Sequence, residues 1–508
     1  MIYGGIEKAG YLDPPDRPNT ALLRPKDPGP SNKSSPSSPI IASPNGDMIL
    51  KYSRLSSAET YYWKINSHLL VNNSPYFRVL IDPDKFSEGR LLAQQRTESA
   101  ASDSLPIMVI PATPFTEMCG VDAIEIFLQI LCLDSLTAGP NADEDDDLEA
   151  LFTLNLKTQP LSLIARLIAI SDWYSSPKPV KDALQRVDYN FGKGNPRLNK
   201  FDKPSLKMTD DRIRQTIAVA TFMGLDNITK IMTHTLVVLG SKRWAHGLEL
   251  PSDPYLPWQY FAHGLEDELY FRRQCILNTI TDLQAHFLRK YGALEDTEET
   301  KPPASAITTH SFSQHRPFQC RAGLGNASQC DLFHLGQMTR FFALRAKTIF
   351  VGSTLIDPEF SPMQEEVEDG QEMHDGSKEQ PSATLSVPES DITALIASMK
   401  RFPDYQVDLN HQGCGVRRRL LPILDGIEKF VLDGRGLLGV MSTLWQDSSK
   451  RLEISWKLKP RQTIPPVDIQ SVYLKARGPR PSQTLSQEDY ARVLFTAKKR
   501  IWEAHLSG

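Results

Sequence analysis

The stretch Trp63–Arg90, WKINSHLLVNNSPYFRVLIDPDKFSEGR, decides how the chain is read. It begins inside an apolar extended run, YYWKIN (Tyr61–Asn66), and passes into two short helical patterns, one over SHLLVN and one starting at Ser74. Ser74 followed by Pro75 is a helix start. The hydroxyl can accept one of the orphan N–H groups of the first turn, and proline is tolerated at the first helical position, where its missing donor is not needed. Tyr76, Phe77 and Leu80 then fall on one helical face, and a charged turn closes the unit. No residue set suited to catalysis stands inside it.

Working outward, GDMILKYS (Gly46–Ser53) reads as a strand pairing with YYWKIN in a hairpin or meander, with RLSSAET as the loop between them. The Arg/Gln/Ser-rich stretch 88–104 reads as a loop, and LPIMVIP (Leu105–Pro111) as a third strand. VDAIEIFLQILCL (Val121–Leu133) is a helix whose buried stripe is Ile124, Phe127, Leu128 and Leu131, with Cys132 a small hydrophobe near its end. The run ADEDDDLEA places six acids between Asp143 and Glu149; these repel one another and are expected on a solvated loop. PLSLIARLIAISDWY resumes a helix with Leu163, Leu167 and Ile170 at helical spacing. Residues 44–190 therefore read as an α+β module, a short three-stranded sheet flanked by helices, followed by a mostly α-helical C-terminal region.

That region divides into helical stretches over 205–295, 317–357 and 389–508, separated by a polar linker at 296–316 and an acidic one at 358–388. Gly224 splits two helices, Gly292 closes the long helix that starts near Gly264, and YARVLFTAKKRIWEAH reads as a last helix presenting Val493, Leu494, Ala497, Ile501 and Trp502 on one side. Residues 1–43 form an arm rich in proline and serine, expected to be disordered.

The 508 residues, 40 % of them hydrophobic, suffice for more than one core, and a net charge of -4 supplies no basic field for nucleic acid or acidic membranes. No signal-like leader and no apolar run of membrane length is present, so the expected location is intracellular, in nucleus or cytoplasm. Six irregularly placed cysteines do not resemble a disulfide framework.

Taken in order, GDMILKY, YWKINSHLLVNNSPYF and the Phe-x-Glu-Gly turn at Phe86–Gly89 resemble the opening of a BTB/POZ domain. AIEIFLQILCL and LSLIARLIAISDWY match that family's later helices, ending at Asp172 and Tyr174. Downstream, FRRQCILNTI, CDLFHLGQ and HQGCGVRRRLL are similar to a group of BTB-containing proteins common in filamentous fungi. The resemblance covers roughly 44–445 and is densest between 46 and 91. Where many members carry a histidine eight residues before the Ser of SPYF, this chain has Asn66.

The resemblance implies a non-enzymatic adaptor or scaffold whose module binds other proteins, commonly self-associates into a homodimer and sometimes docks on a cullin of ubiquitin ligases. It implies structural roles for Asp47, Ser74, Tyr76, Phe77, Asp172 and Tyr174. It also points to an interaction face around Val71, Ile81, Phe86 and Glu88. No cofactor and no membrane contact are expected. The second function class is a transcription-linked regulator touching nucleic acid through C-terminal basic helices, with Arg417–Arg419 and KARGPRP as the basic stretches. Neither is interleaved with aromatics, so a solvated helix face and a loop are the simpler readings, and nucleic acid is not an expected partner.

One set has metal-ligand chemistry: Cys320, Cys330 and His334 with His411 and Cys414. Cys330 and His334 share a helical face, and thiolates with imidazoles can complete a tetrahedral zinc shell. The nine-residue gap from Cys320 to Cys330 is long for a zinc knuckle, and an acidic stretch divides the halves. The reading from sequence is buried thiols with surface histidines, and no metal is assigned.

Overall fold

The computed structural model describes residues 39–43, 45–99, 104–132, 146–191, 198–241, 243–244, 255–293, 318–322, 325–346, 348, 391–457, 467–468, 486–497 and 500–502. The linkers expected at 296–316 and 358–388, the arm up to residue 38 and the basic stretch KARGPRP lie outside them.

The three expected strands form where the apolar alternation puts them. β2 (Met48–Ser53) sends Met48, Leu50 and Tyr52 inward, and β3 (Thr60–Ile65) pairs antiparallel to it with Leu50 opposite Trp63. β4 (Ile107–Ile110) runs parallel to β2, with Met108 and Ile110 buried. A fourth strand was not foreseen. β1 (Ile40–Ile41) comes from the stretch read as a disordered arm and pairs parallel to β3, giving the order β1-β3-β2-β4. Two residues bounded by Pro39 and Pro44 carry no strand signal of their own; the partner edge, where the N–H groups of Ala42 and Ser43 both reach the Lys64 carbonyl, supplies the pairing.

Around the sheet lie α1 (Ser67–Asn73), α2 (Pro75–Leu80), α3 (Ser87–Ser99), α4 (Pro114–Cys119), α5 (Val121–Cys132), α6 (Asp146–Thr158), α7 (Leu161–Trp173) and α8 (Pro177–Arg186). The α5 stripe is fully buried as expected. Two expected loops are helices instead. Within 88–104, α3 forms although Leu92 is its one buried aliphatic side chain, too faint a stripe to register as periodic. Inside the acidic run, α6 begins at Asp146, so the chain from there on is helical rather than a loop.

The helical body contains α9 (Asp210–Met223), α10 (Asp226–Leu239), α11 (Leu265–Lys290), α12 (Ala327–Arg340), α13 (Ile392–Lys400), α14 (Arg417–Val431), α15 (Ser442–Gln446), α16 (Ser448–Ile454) and α17 (Gln487–Thr496). Gly224, at φ 75°, makes the left-handed stop between α9 and α10. α7 packs on α9, so the buried apolar side chains of module and helical body form one continuous core. The last helix is shorter than expected. The chain turns extended at Ala497, and Arg500–Ile501 pairs as β6 with β5 (Val467–Asp468). Arg500 then bonds the carbonyls of Leu494 and Phe495, and both Arg500 and Trp502 donate to Asp282 of α11. These contacts override a helical pattern that alone would run on.

α10 is buried on nearly every side from Thr229 to Val238. At its centre His234 accepts from the Leu438 N–H at Nδ1 (3.2 Å) and donates from Nε2 to the Val431 carbonyl (2.9 Å), so its tautomer is set by two backbone groups. Burial, partly offset by the bond to Val431 and by Asp433, moves the imidazole from its ordinary 6.5 down to about 4. Between those two values only the unfolded chain takes up this proton. Stability is therefore undiminished above pH about 6.5 and falls as pH drops toward 4, by up to about 3 kcal/mol. Equilibrium denaturation across that interval is expected to show this slope, and His234→Gln, which does not titrate, is expected to flatten it.

Candidate functional site

The expected interaction face is assembled on a rigid base. Ser74 accepts from the Phe77 N–H and donates to the Tyr174 carbonyl at 3.3 Å, tying the start of α2 to the end of α7. The Tyr174 ring stacks on Phe77 and Phe127 and meets Tyr76 edge-on. Asp172, two residues before Tyr174 in the chain, is exposed. Asn66, standing where the resemblance led one to look for histidine, caps α1 by accepting from the N–H groups of His68 and Leu69. Asp47 accepts from the N–H and hydroxyl of Ser67 and pairs with Arg96 of α3 at 3.1 Å. Arg96, in the supposed loop, was not singled out from sequence.

From this base the chain leaves α2 through a turn in which Asp82 accepts from the Asp84 N–H and pairs with Lys85. The Phe86 N–H donates back to the Asp82 carbonyl, and α3 starts directly on top of the α2 end. Gly89 permits that approach, because a Cβ there would lie 2.5 Å from the Asp82 carbonyl oxygen. Phe86 is thereby held at the surface, 44 % exposed, with Glu88 also exposed. Val71 and Ile81 are half-buried, and Ile81 packs on the core. Val79, Leu91, Ile107 and Val109 add exposed apolar surface that sequence reading did not nominate. The signal was present in β4, whose four residues are all apolar and so cannot all face inward.

The five metal-capable residues do not sit as expected. His411 and His334 are both buried rather than on the surface. The ligand atoms of Cys320, Cys330, His411 and Cys414 lie within 4.8 Å of one another, while His334 falls outside that group, its two ring nitrogens without hydrogen-bond partners beside Tyr291 and Phe333. Burial and the neighbouring Cys320 and Cys414 thiols push the Cys330 thiol up to about 12, the opposite of what a reactive nucleophile needs.

The arginine triplet is not a solvated face. Arg417 donates to the carbonyls of Lys400 and Phe402, and Arg419 to Gln319 and the Tyr291 hydroxyl, leaving Arg418 as the exposed member, near Asp404. Two depressions among the described residues are lined largely by polar and charged side chains. One, of about 360 Å³ between α1, α2 and α8, is lined by Asn72, Asn73, Asp182 and Arg186. In the other, Lys230 pairs with Glu488, Arg435 pairs with Asp433, and Asp226 accepts from Ser442 and Thr443. No helix among the described residues is long and apolar enough to cross a membrane.

No family model, curated protein or solved structure matches this chain.

The approach at Gly89 is testable. Gly89→Ala is expected to lower stability by about 1–3 kcal/mol, since a backbone carbonyl cannot yield as a side chain can. Denaturant unfolding of the wild-type and variant chains measures it.

Proposed function

We propose that the chain is a non-enzymatic protein-interaction adaptor whose BTB/POZ-like module, residues 44–190, associates with a second copy of itself. The observation that carries this reading is the surface position of Phe86, held out of the module's own core by the Asp82–Gly89 turn. Val79 and Leu91, on the two helices that this turn joins, supply further exposed apolar area. A self-contact suits the chain's small net charge, which imposes little repulsion between copies. The order of motifs that resembles BTB/POZ domains, and the α+β arrangement of hairpin, third strand and flanking helices, support the same assignment.

In this reading Phe86 is the anchor, contributing about 1.5–3 kcal/mol of apolar burial before ordering costs. Glu88, two residues on, makes the exposed Phe-x-Glu edge at which a cullin would dock. Nucleic-acid binding is disfavoured by the inward use of Arg417 and Arg419.

Sedimentation of the full chain at tens of micromolar is expected to give a dimer, and Phe86→Ala to weaken it about tenfold or more, the loss matching a removed aromatic anchor. A strict monomer whose captured partners are unchanged by Phe86→Ala would refute the reading. DNA affinity that falls steeply with salt would favour the nucleic-acid alternative instead.

A further inference from the structure

We propose that Cys320, Cys330, His411 and Cys414 bind one zinc ion in a closed, structural, tetrahedral site. The argument begins with distances. Cys320 Sγ lies 3.7 Å from Cys414 Sγ and 3.3 Å from His411 Nδ1, and Cys414 Sγ lies 3.9 Å from that same nitrogen. A tetrahedron with ordinary zinc–sulfur and zinc–nitrogen bonds has sulfur–sulfur edges of about 3.8 Å and sulfur–nitrogen edges of about 3.6 Å. The three measured edges fall around those values, and none of the thiols is joined in a disulfide. Cys330 Sγ completes the group from the first turn of α12.

Local structure aims the donors. Asp408 caps the short turn Leu409–His411, and the Cys414 N–H donates to the His411 carbonyl, so the His411-x2-Cys414 pair is folded back on itself. Gly413, at φ 89°, makes the reversal that a side-chain-bearing residue resists. Asn326 Oδ1 lies 3.1 Å from His411 Nε2 and can accept a hydrogen bond from an Nε2–H, the tautomer that leaves Nδ1 unprotonated and facing the sulfurs. That is the outer hydrogen bond by which metal-bound imidazoles are oriented. The Arg321 N–H donates to Cys414 Sγ at 3.4 Å, and the Arg419 guanidinium reaches the Cys414 carbonyl; both suit the net negative charge of three thiolates on a divalent ion. Cys330, Cys414 and His411 are buried, and four protein donors leave no open position, so the ion holds structure rather than performing chemistry. Three sulfurs and one imidazole in tetrahedral array select zinc over oxygen-loving divalent ions.

The ligands come in two pairs far apart in sequence. Cys320 and Cys330 flank the start of α12, whereas His411 and Cys414 precede α14. The ion would clasp α12 to the α13–α14 unit across the interval 349–390.

The test uses the full chain, purified with reductant and without chelator. Elemental analysis is expected to find about one zinc per chain, lost in the Cys330→Ser/Cys414→Ser double variant and kept in His334→Gln. Because the serine variants can fail to fold, the wild-type chain is also exchanged with cobalt(II). The expected spectrum has intense tetrahedral d–d absorption with near-ultraviolet thiolate charge transfer, and His411→Cys is expected to shift it while retaining one metal. Zinc below about a tenth of an equivalent even after refolding with zinc, a weak octahedral cobalt spectrum, or zinc retained in the double-serine chain would each overturn the assignment.

Discussion

The helical body is organised by two consecutive buried guanidinium groups on α11. Arg272 pairs with Glu268 at 2.8 Å and donates to the carbonyls of Leu438, Gly439 and Ile454, while Glu268 accepts from the Ser455 hydroxyl and the Trp456 N–H. Arg273 donates to the carbonyls of Val237 and Val238 at the end of α10. Taking charges out of water costs several kcal/mol each, so such groups persist only where every donor is used. Here that requirement positions α10, the 438–439 turn and the end of α16 relative to α11. A third buried cation, Arg214, makes a bidentate pair with Glu266 and fixes α9 against the same helix.

With α9 fixed, α7 has a surface to pack on, and the α+β module becomes continuous with the body. The module is therefore not a loose appendage. Its aromatic cluster around Tyr174 lies close in sequence to the helices that meet the body, and the Phe86 turn projects from the α2–α3 side. A contact at that turn would be made on a unit that shares its core with the helical body.

How much of this was legible in the sequence differs by region. The strands β2, β3 and β4, the Ser74 cap and the α5 stripe follow from period and capping chemistry, which are local. β1 and the end of α17 were not readable, because partners far along the chain decide them: the Lys64 carbonyl for one, Asp282 for the other. The thiol cluster shows the same divide. Cys330 and His334 share a helix face as their spacing says, yet proximity to the other donors depends on how α12 meets the 409–415 turn, and that selects His411 over His334. Phe86 was nameable as a candidate, but its outward position follows from the helix that replaced an expected loop.

The short edges of the sheet carry one more consequence. β1 is two residues long, and on the opposite side β4 is four residues long with the Ile107 N–H already taken by Gln95 of α3. An unprotected border of free donors and acceptors would template further strands and invite fibre-like growth. With one border two residues long and the other short and partly taken, the described sheet offers little backbone for lateral strand addition.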